Sequence, residues 1–372
     1  MSKKSIFIDC HIFDGGFQGT RTYIQGLYLE MIKNNDIHFF FAAHDIDNLS
    51  SIFGFQNNIT YLKYNSQSKF YRLLIDIPML IKKHKIEYAH FQYVVSPIKS
   101  CKYIVSLHDV LFLDYPSYFP FFYRFFKRIL FRFSAKKSDI VLTVSEYSKS
   151  RIKHHFNVER IYVTQNAVEN VFFESFDKKN AINEVYNKFN VLNYFLFVSR
   201  WEPRKNHLLL LKVFVEKRYY QNYNLVFIGN HALDDKEYKK YFNSLSDEIK
   251  ATVFKFSNIS FQDLLLFNRG ATISVYPSIA EGFGIPPLES IACEVPTVCS
   301  NTTAMADFYF NQDCSFNPLD ANGLVRAIEN ALNEKNIMKK KKAVLERYNW
   351  CFAANQFQNA LEENSSKRKK AK

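Results

Sequence analysis

The sequence predicts an α/β protein with two domains, each built around a parallel sheet. Two patterns predict it: short, β-rich apolar runs alternate with longer helical stretches, and a polar, strand-free stretch over residues 173–190 separates two such series. The length of 372 residues fits about two domains. With 47% hydrophobic and 23% charged residues, the chain is excluded from the disordered and low-complexity classes.

The strand candidates set the expected domain boundaries. In the first series they are residues 5–9, 37–43, 86–91, 103–107, 140–144 and 161–164, and in the second 194–199, 224–229, 272–276 and 296–299. We therefore expect an N-terminal domain over 1–172, an interdomain linker region over 173–190 and a C-terminal domain over 191–350. Residues 351–372 are expected to form a helix that returns to the N-terminal domain and ends in a basic tail.

The net charge and the cysteine content limit the classes of binding partner and the cellular compartment that we expect. Lys and Arg number 49 against 36 Asp and Glu, a net charge of +13, which favours anionic partners such as nucleotides or phospholipid surfaces. We expect no nucleic-acid partner, because no known nucleic-acid-binding motif occurs. The six cysteines lack metal-binding spacing, and neither a signal peptide nor a transmembrane helix is expected, so we expect a cytoplasmic protein.

The densest group of functional residues lies between Glu281 and Glu289, just after a candidate strand. Gly282 and Gly284 would let backbone N–H groups approach a ligand closely, and the prolines that follow favour an anion-binding helix start. The two carboxylates could accept hydrogen bonds from two hydroxyl-bearing parts of one ligand. The alternative is an ordinary turn with a capping glutamate.

Three further motifs also follow candidate strands, where ligands of parallel α/β sheets bind. Arg200, Arg204 and Lys205 could hold a diphosphate, although a solvated basic loop would look the same. His108 follows the strand at 103–107, where a structural histidine is the alternative. The loop over 14–20 has the glycines of a phosphate-facing loop but matches neither G-x-G-x-x-G nor a P-loop.

Together these four motifs resemble glycosyltransferase family 4, whose members are retaining enzymes of the GT-B fold. That fold has two Rossmann-like domains with parallel sheets facing a central cleft. The resemblance extends to residues 144–149, 166–168 and 347–350, and so covers most of the chain. Ser199 and Ala167 depart from the family pattern, which has glycine at both places, but neither change removes a charge.

The resemblance implies roles for the donor-diphosphate side of the site. Arg200 and Lys205 would bind the diphosphate of the donor. Gly15 and Gly16 would let the N-terminal loop close over it. No metal is implied, because side chains meet the diphosphate charge. The string Asp45-Ile-Asp47 is the alternative, since D-x-D binds a metal in a different glycosyltransferase architecture.

The resemblance also implies roles for the sugar side. Glu281 would contact the donor sugar hydroxyls, assisted by the backbone N–H groups of Phe283 and Gly284. Glu289 would hold the nucleotide ribose, and His108 would lie near the reacting carbon.

The implied activity is hexosyl transfer from a nucleotide-diphosphate sugar, without a cofactor, to a growing glycan or polyprenyl-linked acceptor in bacterial surface-polysaccharide synthesis. GDP-mannose is expected first as donor, with rhamnose or a UDP-sugar as alternatives. Two other functions stay open: a nucleotide-sugar 2-epimerase of the same architecture, and a non-catalytic basic protein that binds membranes.

Residues 119–133 predict an amphipathic helix with one basic and one apolar face. Arg124, Lys127, Arg128 and Arg132 share one face, and Phe122, Phe125, Phe126, Ile129 and Phe133 share the other. One interpretation is peripheral contact with an anionic membrane at the inner face of the plasma membrane. The other is a helix that packs its apolar face on the core and exposes its cationic face.

Overall fold

The computed structural model describes residues 3–15, 19–230, 232–233 and 235–369. The chain divides into two compact units, Met1–Ala167 with Trp350–Lys372, and Val168–Asn349. We call them the N-terminal unit and the C-terminal unit. Each contains one parallel sheet with helices, as the alternation of strands and helices predicts.

The N-terminal unit holds a seven-stranded sheet in the order β3-β2-β1-β4-β5-β6-β7. Its strands are β1 (Lys4–Asp9), β2 (Ile37–Ala43), β3 (Ile59–Lys63), β4 (Tyr88–Gln92), β5 (Lys102–Ser106), β6 (Ile140–Thr143) and β7 (Ile161–Val163). All neighbours pair in parallel, with Ile6 of β1 opposite Phe39 of β2 and Tyr88 of β4. The central strands are buried along their length, as both faces of a parallel sheet are covered.

Seven helices of this unit precede residue 168. They are α1 (Gly19–Met31), α2 (Ile46–Phe53), α3 (Lys69–Tyr71), α4 (Ile77–Lys83), α5 (Leu111–Asp114), α6 (Phe121–Lys137) and α7 (Glu146–Phe156). A π-helical turn, Arg72–Asp76, joins α3 to α4. Ser145 caps α7 by accepting a hydrogen bond from the Ser148 N–H at 3.0 Å, which satisfies one of the unpaired donors at a helix start.

The C-terminal unit holds a six-stranded parallel sheet in the order β10-β9-β8-β11-β12-β13. The strands are β8 (Tyr194–Val198), β9 (Asn224–Ile228), β10 (Val253–Phe256), β11 (Ile273–Tyr276), β12 (Thr297–Ser300) and β13 (Ser315–Phe316). The helices are α8 (Lys178–Phe189), α9 (His207–Glu216), α10 (Lys236–Asn243), α11 (Asp247–Lys250), α12 (Phe261–Gly270), α13 (Ile285–Ala292), α14 (Ala321–Leu332) and α15 (Ile337–Arg347).

The segment that the sequence predicts as an interdomain linker region, 173–190, belongs to the C-terminal unit. Most of it is α8, which packs on α12 and buries Ala181 and Val185. A helix with so narrow an apolar stripe has a polar composition, and a polar composition is also typical of a linker. The unit boundaries therefore lie at 167/168 and 349/350 rather than at 172 and 350.

The last helix, α16 (Trp350–Lys369), packs on α1 of the N-terminal unit. The contact is tight at Gly26, where an added Cβ would lie 2.0 Å from Cε2 of the Trp350 indole. Only a residue without a side chain leaves room for this ring. Among the described helices, none is both long and apolar enough to cross a membrane.

Each sheet has one place where the strand order reverses. Successive strands run outward in one direction from β1 and from β8, and the chain then returns to place β4 beside β1 and β11 beside β8. Ligands of open α/β sheets bind beyond the carboxyl ends of the strands at such a point. The loops after these strands are therefore the expected place for a ligand site.

Candidate functional site

Lys205 and Glu281 form a buried ion pair at the strand-order reversal of the second sheet. Lys205 follows β8, Glu281 follows β11, and Lys205 Nζ lies 2.5 Å from Glu281 Oε1. Their side chains are only 13% and 15% exposed. The Arg204 guanidinium lies 3.4 Å from Glu281 Oε2 and donates to the Ala280 carbonyl at 2.6 Å, so it ties the two loops together.

Burial and charge act together on this cluster. Burial alone would raise the pKa of Glu281, but the adjacent Lys205 and Arg204 outweigh it and lower that pKa. Burial lowers the pKa of Lys205, and the neighbouring Glu281 carboxylate opposes that effect. Glu281 is therefore ionised at neutral pH, and its two carboxylate oxygens face Lys205 and Arg204.

Arg200 reaches outward from the same loop. Its side chain is 68% exposed, and its Nη2 lies 3.2 Å from Glu202 Oε1. The other oxygen of Glu202 accepts from Arg204 Nη2 at 2.7 Å. Glu202 thus positions one buried and one exposed guanidinium, and the exposed one can pair with an anion in a planar, bidentate manner.

The glycine turn before α13 is rigid. Gly284 caps α13 with a φ of +100°, and an added Cβ would lie 2.9 Å from Met305 Cγ, so a side chain is disfavoured twice. The Phe283 ring is buried and meets the rings of Phe308 and Tyr348 edge to face. These contacts fix the backbone of 283 and 284 at the start of an eight-residue helix, where N–H groups favour anions.

Glu289 lies on α13 in a different electrostatic setting from Glu281. Burial, with a smaller contribution from the carboxylate of Glu169, raises the pKa of Glu289 to about 8. Its carboxyl group is therefore mainly protonated at neutral pH and can both donate and accept a hydrogen bond. Such a group can pair with two vicinal hydroxyls, since each hydroxyl can itself donate or accept.

His108, which follows β5 in the N-terminal unit, is a neutral imidazole between aromatic rings. The Tyr23 ring meets it edge to face at a centroid distance of 4.8 Å, and the Tyr93 ring lies at 5.4 Å. Burial lowers the pKa of His108 to about 4. Its Nε2 has no hydrogen-bond partner within the described parts of the chain, so the ring has an unused polar atom.

A buried polar network lies beneath His108 and was not predicted from the sequence. The Tyr23 hydroxyl lies 2.5 Å from Thr164 Oγ1 and 3.5 Å from Ser106 Oγ, which contacts His90 Nε2 at 2.8 Å. His90 Nδ1 in turn lies 2.7 Å from the Tyr28 hydroxyl. The sequence signal was His90 inside an apolar strand, but the other members of the network come from three other segments: α1, β5 and the residue after β7.

The glycine loop after β1 is described only in part. Gly15 has open space around the position of an added Cβ, so the unliganded backbone does not itself require glycine there. Gly16 lies outside the described residues. Asp45, half of the D-x-D string, caps α2 by accepting from the Asn48 N–H at 2.9 Å. Its carboxylate therefore has a structural role that needs no metal.

Glu202 and Thr303 belong to the charged cluster but were not predicted as site residues, and Arg204 was predicted only as one of three cations that could hold a diphosphate. The Glu281 N–H donates to Thr303 Oγ1 at 2.9 Å, and Thr303 has a positive φ of 55°. Arg204 and Glu202 stand inside the basic motif, so their position was a usable signal. Thr303 follows β12, and no motif in the sequence marked it as a member of the cluster.

Another carboxylate cluster lies away from these loops, at Asp313, Cys314 and Glu334. The Lys340 ammonium lies 2.8 Å from Asp313 and contacts Glu334. A lysine therefore already occupies the place where a cation would bind, and we assign the cluster to structure.

Comparison with known proteins agrees with the division into two units. Residues 178–349 match the model of the glycosyl transferases group 1, and residues 18–170 match the model of glycosyltransferase family 4. The chain belongs to this glycosyltransferase family. The resemblance inferred from the four motifs is thereby confirmed.

Curated relatives of this glycosyltransferase include two O-antigen enzymes. The chain is 29% identical over 228 residues to the O-antigen chain mannosyltransferase RfbU of Salmonella typhimurium, covering 61% of this chain and 60% of the relative. It is 27% identical over 240 residues to O-antigen chain mannosyltransferase B of Escherichia coli, covering 62% and 61%. The alignments thus span about three fifths of each relative.

Solved structures confirm the GT-B fold of this glycosyltransferase. A sucrose-phosphate synthase from Thermosynechococcus elongatus superposes with a TM-score of 0.72 at 16% identity, covering 98% of this chain and 99% of that one. A glycosyltransferase from Rickettsia africae gives 0.69 with the same identity and coverage. Anabaena HepE, solved in complex with UDP, gives 0.69 at 14% identity, covering 97% and 100%. The facing of the two sheets across a cleft stays a prediction.

Proposed function

We propose that this protein transfers a mannosyl group, with retention of configuration, from a nucleotide-diphosphate sugar to a growing glycan or polyprenyl-linked acceptor in bacterial surface-polysaccharide synthesis. The observation that carries the proposal is the compensated Lys205–Glu281–Arg204 cluster at the strand-order reversal of the C-terminal unit. The two O-antigen mannosyltransferase relatives support the sugar. The predicted cytoplasmic location at the inner face of the plasma membrane belongs to the same proposal.

The cluster fits the charge changes of such a transfer. As the bond between the sugar C1 and the diphosphate oxygen breaks, its electron pair leaves with the phosphate, which gains negative charge. Lys205, Arg204 and the exposed Arg200 would stabilise that charge from fixed positions. The acceptor hydroxyl oxygen forms the new bond to C1, and its proton passes to the departing phosphate. No protein base is assigned.

The two glutamates would have separate tasks. Glu281, ionised beside Lys205, would face the sugar ring, where positive charge develops in the transition state. Glu289, mainly protonated, would hold the ribose hydroxyls away from the reacting carbon. We expect Glu281→Gln to lower kcat and Glu289→Gln chiefly to raise the donor KM. The opposite split would reverse the two assignments.

A panel of nucleoside diphosphates and nucleotide sugars, followed by thermal unfolding, tests the donor. A ligand that binds only the folded state raises stability as RT ln(1 + [L]/Kd), so the correct base should stand out. We expect GDP and GDP-mannose to give the largest shifts. A UDP-sugar with the largest shift and turnover would overturn the choice of mannose.

A chelator experiment tests the expected independence from metal. Because Arg and Lys side chains meet the diphosphate charge, activity should persist in excess EDTA. Complete loss of activity that Mg²⁺ or Mn²⁺ restores would instead require a metal at the diphosphate.

A further inference from the structure

Helix α6 exposes its apolar face instead of burying it. Phe122 is 73% exposed and Phe126 is 60% exposed. The outward residues, which we call the α6 face, are Phe121, Phe122, Phe125, Phe126, Ile129 and Phe133. The interpretation that this face packs on the core is therefore wrong.

The helix is anchored along its opposite side. Phe131, Ser134 and Ala135 are buried, and Phe131 packs in the core of the N-terminal unit. Lys127, assigned by periodicity to the basic face, is half-buried with its Nζ over the Phe131 and Tyr93 rings at 5.1 and 5.5 Å. Of the predicted basic face, Arg124 and Lys127 are partly buried, whereas Arg128 and Arg132 stay exposed beside the α6 face.

Three cations accompany the exposed aromatic rings. Arg128, Arg132 and Lys136 are exposed at intervals of four residues and so form one row beside the α6 face. No acidic residue occurs between residues 121 and 137. A partner for this surface must therefore accept apolar rings and several positive charges at once.

The apolar exposure continues beyond α6. Phe70, Ile75 and Ile98 are exposed on neighbouring segments. Val95 and Ser96 lie between α6 and the segment that contains Leu73. Ser96 Oγ donates to the Leu73 carbonyl at 2.7 Å, and the Val95 N–H donates to Ser134 Oγ of α6 at 3.2 Å. Exposed apolar area on this scale indicates an interaction surface.

We propose that the α6 face docks on an anionic lipid bilayer, with its rings at the boundary between headgroups and acyl chains and the Arg128–Arg132–Lys136 row on the lipid phosphates. Charge complementarity favours this occupant, because bilayer phosphates meet every cation in the row without needing acidic side chains in register. The proposal goes beyond the proposed function and stands without it, since vesicle binding requires no sugar donor.

Vesicle flotation with the full chain tests the proposal. We expect binding to phosphatidylcholine vesicles that contain phosphatidylglycerol, weak binding to phosphatidylcholine alone, and release at high salt. Phe122→Ser/Phe126→Ser should weaken binding about tenfold or more. Arg128→Glu/Arg132→Glu should weaken it by at least about 25-fold, from about fivefold for the loss of each cation near the surface, and the added negative charges should increase the effect.

Matched variants control for general effects of composition. Phe55→Ser/Leu319→Ser removes two exposed apolar side chains elsewhere, and Lys335→Glu/Lys339→Glu reverses two exposed cations at the same spacing. Both should bind vesicles like the wild type. Because all these positions are exposed, circular dichroism should show each variant folded.

A Phe126→Trp reporter measures depth directly. Its fluorescence should shift to the blue and be quenched by brominated lipid in anionic vesicles, whereas Phe55→Trp should respond to neither. Three results would overturn the proposal: no vesicle binding at low salt, binding that the α6 variants leave unchanged, or a dimer in sedimentation that Phe122→Ser/Phe126→Ser dissociates. The last would assign the face to a second copy of the chain.

Discussion

At the carboxyl end of the second sheet, Lys205, Arg204 and Glu281 form a charged cluster, whereas at the same end of the first sheet His108 is neutral among aromatic rings. The charged cluster compensates itself before any ligand binds. The neutral one depends on ring packing and on hydroxyl hydrogen bonds. The C-terminal unit therefore holds a preorganised charged cluster, whereas the N-terminal unit holds an uncharged polar atom that aromatic rings keep in place.

The largest effect should come from breaking the charged cluster. Lys205→Met leaves Glu281 buried without its closest partner, so we expect unfolding to require about 3–5 kcal/mol less. kcat/KM should fall about 100-fold or more. Chemical denaturation and steady-state kinetics measure the two effects.

The double variant Lys205→Met/Glu281→Gln is the control for that experiment. It removes both charges, so stability should return toward the wild-type value while activity stays low. A Lys205→Met protein with wild-type stability and turnover would show that the ion pair is unimportant.

Gly284→Ala tests the rigid turn. The positive φ and the contact with Met305 together should lower the free energy of unfolding by about 1–3 kcal/mol and raise the donor KM. Gly15→Ala is the matched substitution, because its Cβ meets open space. It should leave thermal stability unchanged and affect kinetics alone. Equal melting temperatures for Gly284→Ala and wild type would contradict this account.

Glu289 and His108 should give opposite pH dependences of stability. The pKa of Glu289 is raised from 4.5 to about 8, so the folded state holds the proton more tightly, and stability falls as pH rises through that window. For one proton the slope is at most about 1.4 kcal/mol per pH unit. Glu289→Gln should flatten the melting-temperature profile between pH 5 and 8. A profile as steep as that of the wild type would rule out Glu289 as its source.

His108 should change the stability of the protein in the acid range. Its pKa is lowered from 6.5 to about 4, so its contribution to stability is complete above pH 6.5 and is lost as pH falls through 4. His108→Gln should therefore make the melting temperature less sensitive to acid in that interval. Burial also lowers the pKa of His90, to about 3. Because His90 is present in both proteins, its titration contributes equally to both profiles.

Tyr23→Phe should have the smallest effect. The ring that contacts His108 is kept and only the hydroxyl is lost, so we expect a loss of about 1 kcal/mol in stability with kcat close to wild type. A large fall in kcat would mean that the hydroxyl network, and not ring packing, positions His108.

Sequence reasoning could select the candidate residues because strand ends and motif spacing are local properties. It could not pair Lys205 with Glu281, since 76 residues separate them and only the adjacency of β8 and β11 brings them together. Sequence reasoning also missed three short strands, β3, β10 and β13. Of these, β3 and β10 are partly exposed strands at the edges of their sheets. At α6, Phe131 is absent from the apolar face that periodicity defines, and it is the residue that anchors the helix.

The insertion of Trp350 beside Gly26 has a consequence for biosynthesis. The ribosome makes all of 168–349 after the seven strands of the first sheet and before α16. At a translation rate of about 5–20 residues per second, the groove on α1 stays empty for on the order of 10 s or more before Trp350 is synthesised. During translation the nascent N-terminal unit therefore lacks α16 until the whole C-terminal unit has been synthesised.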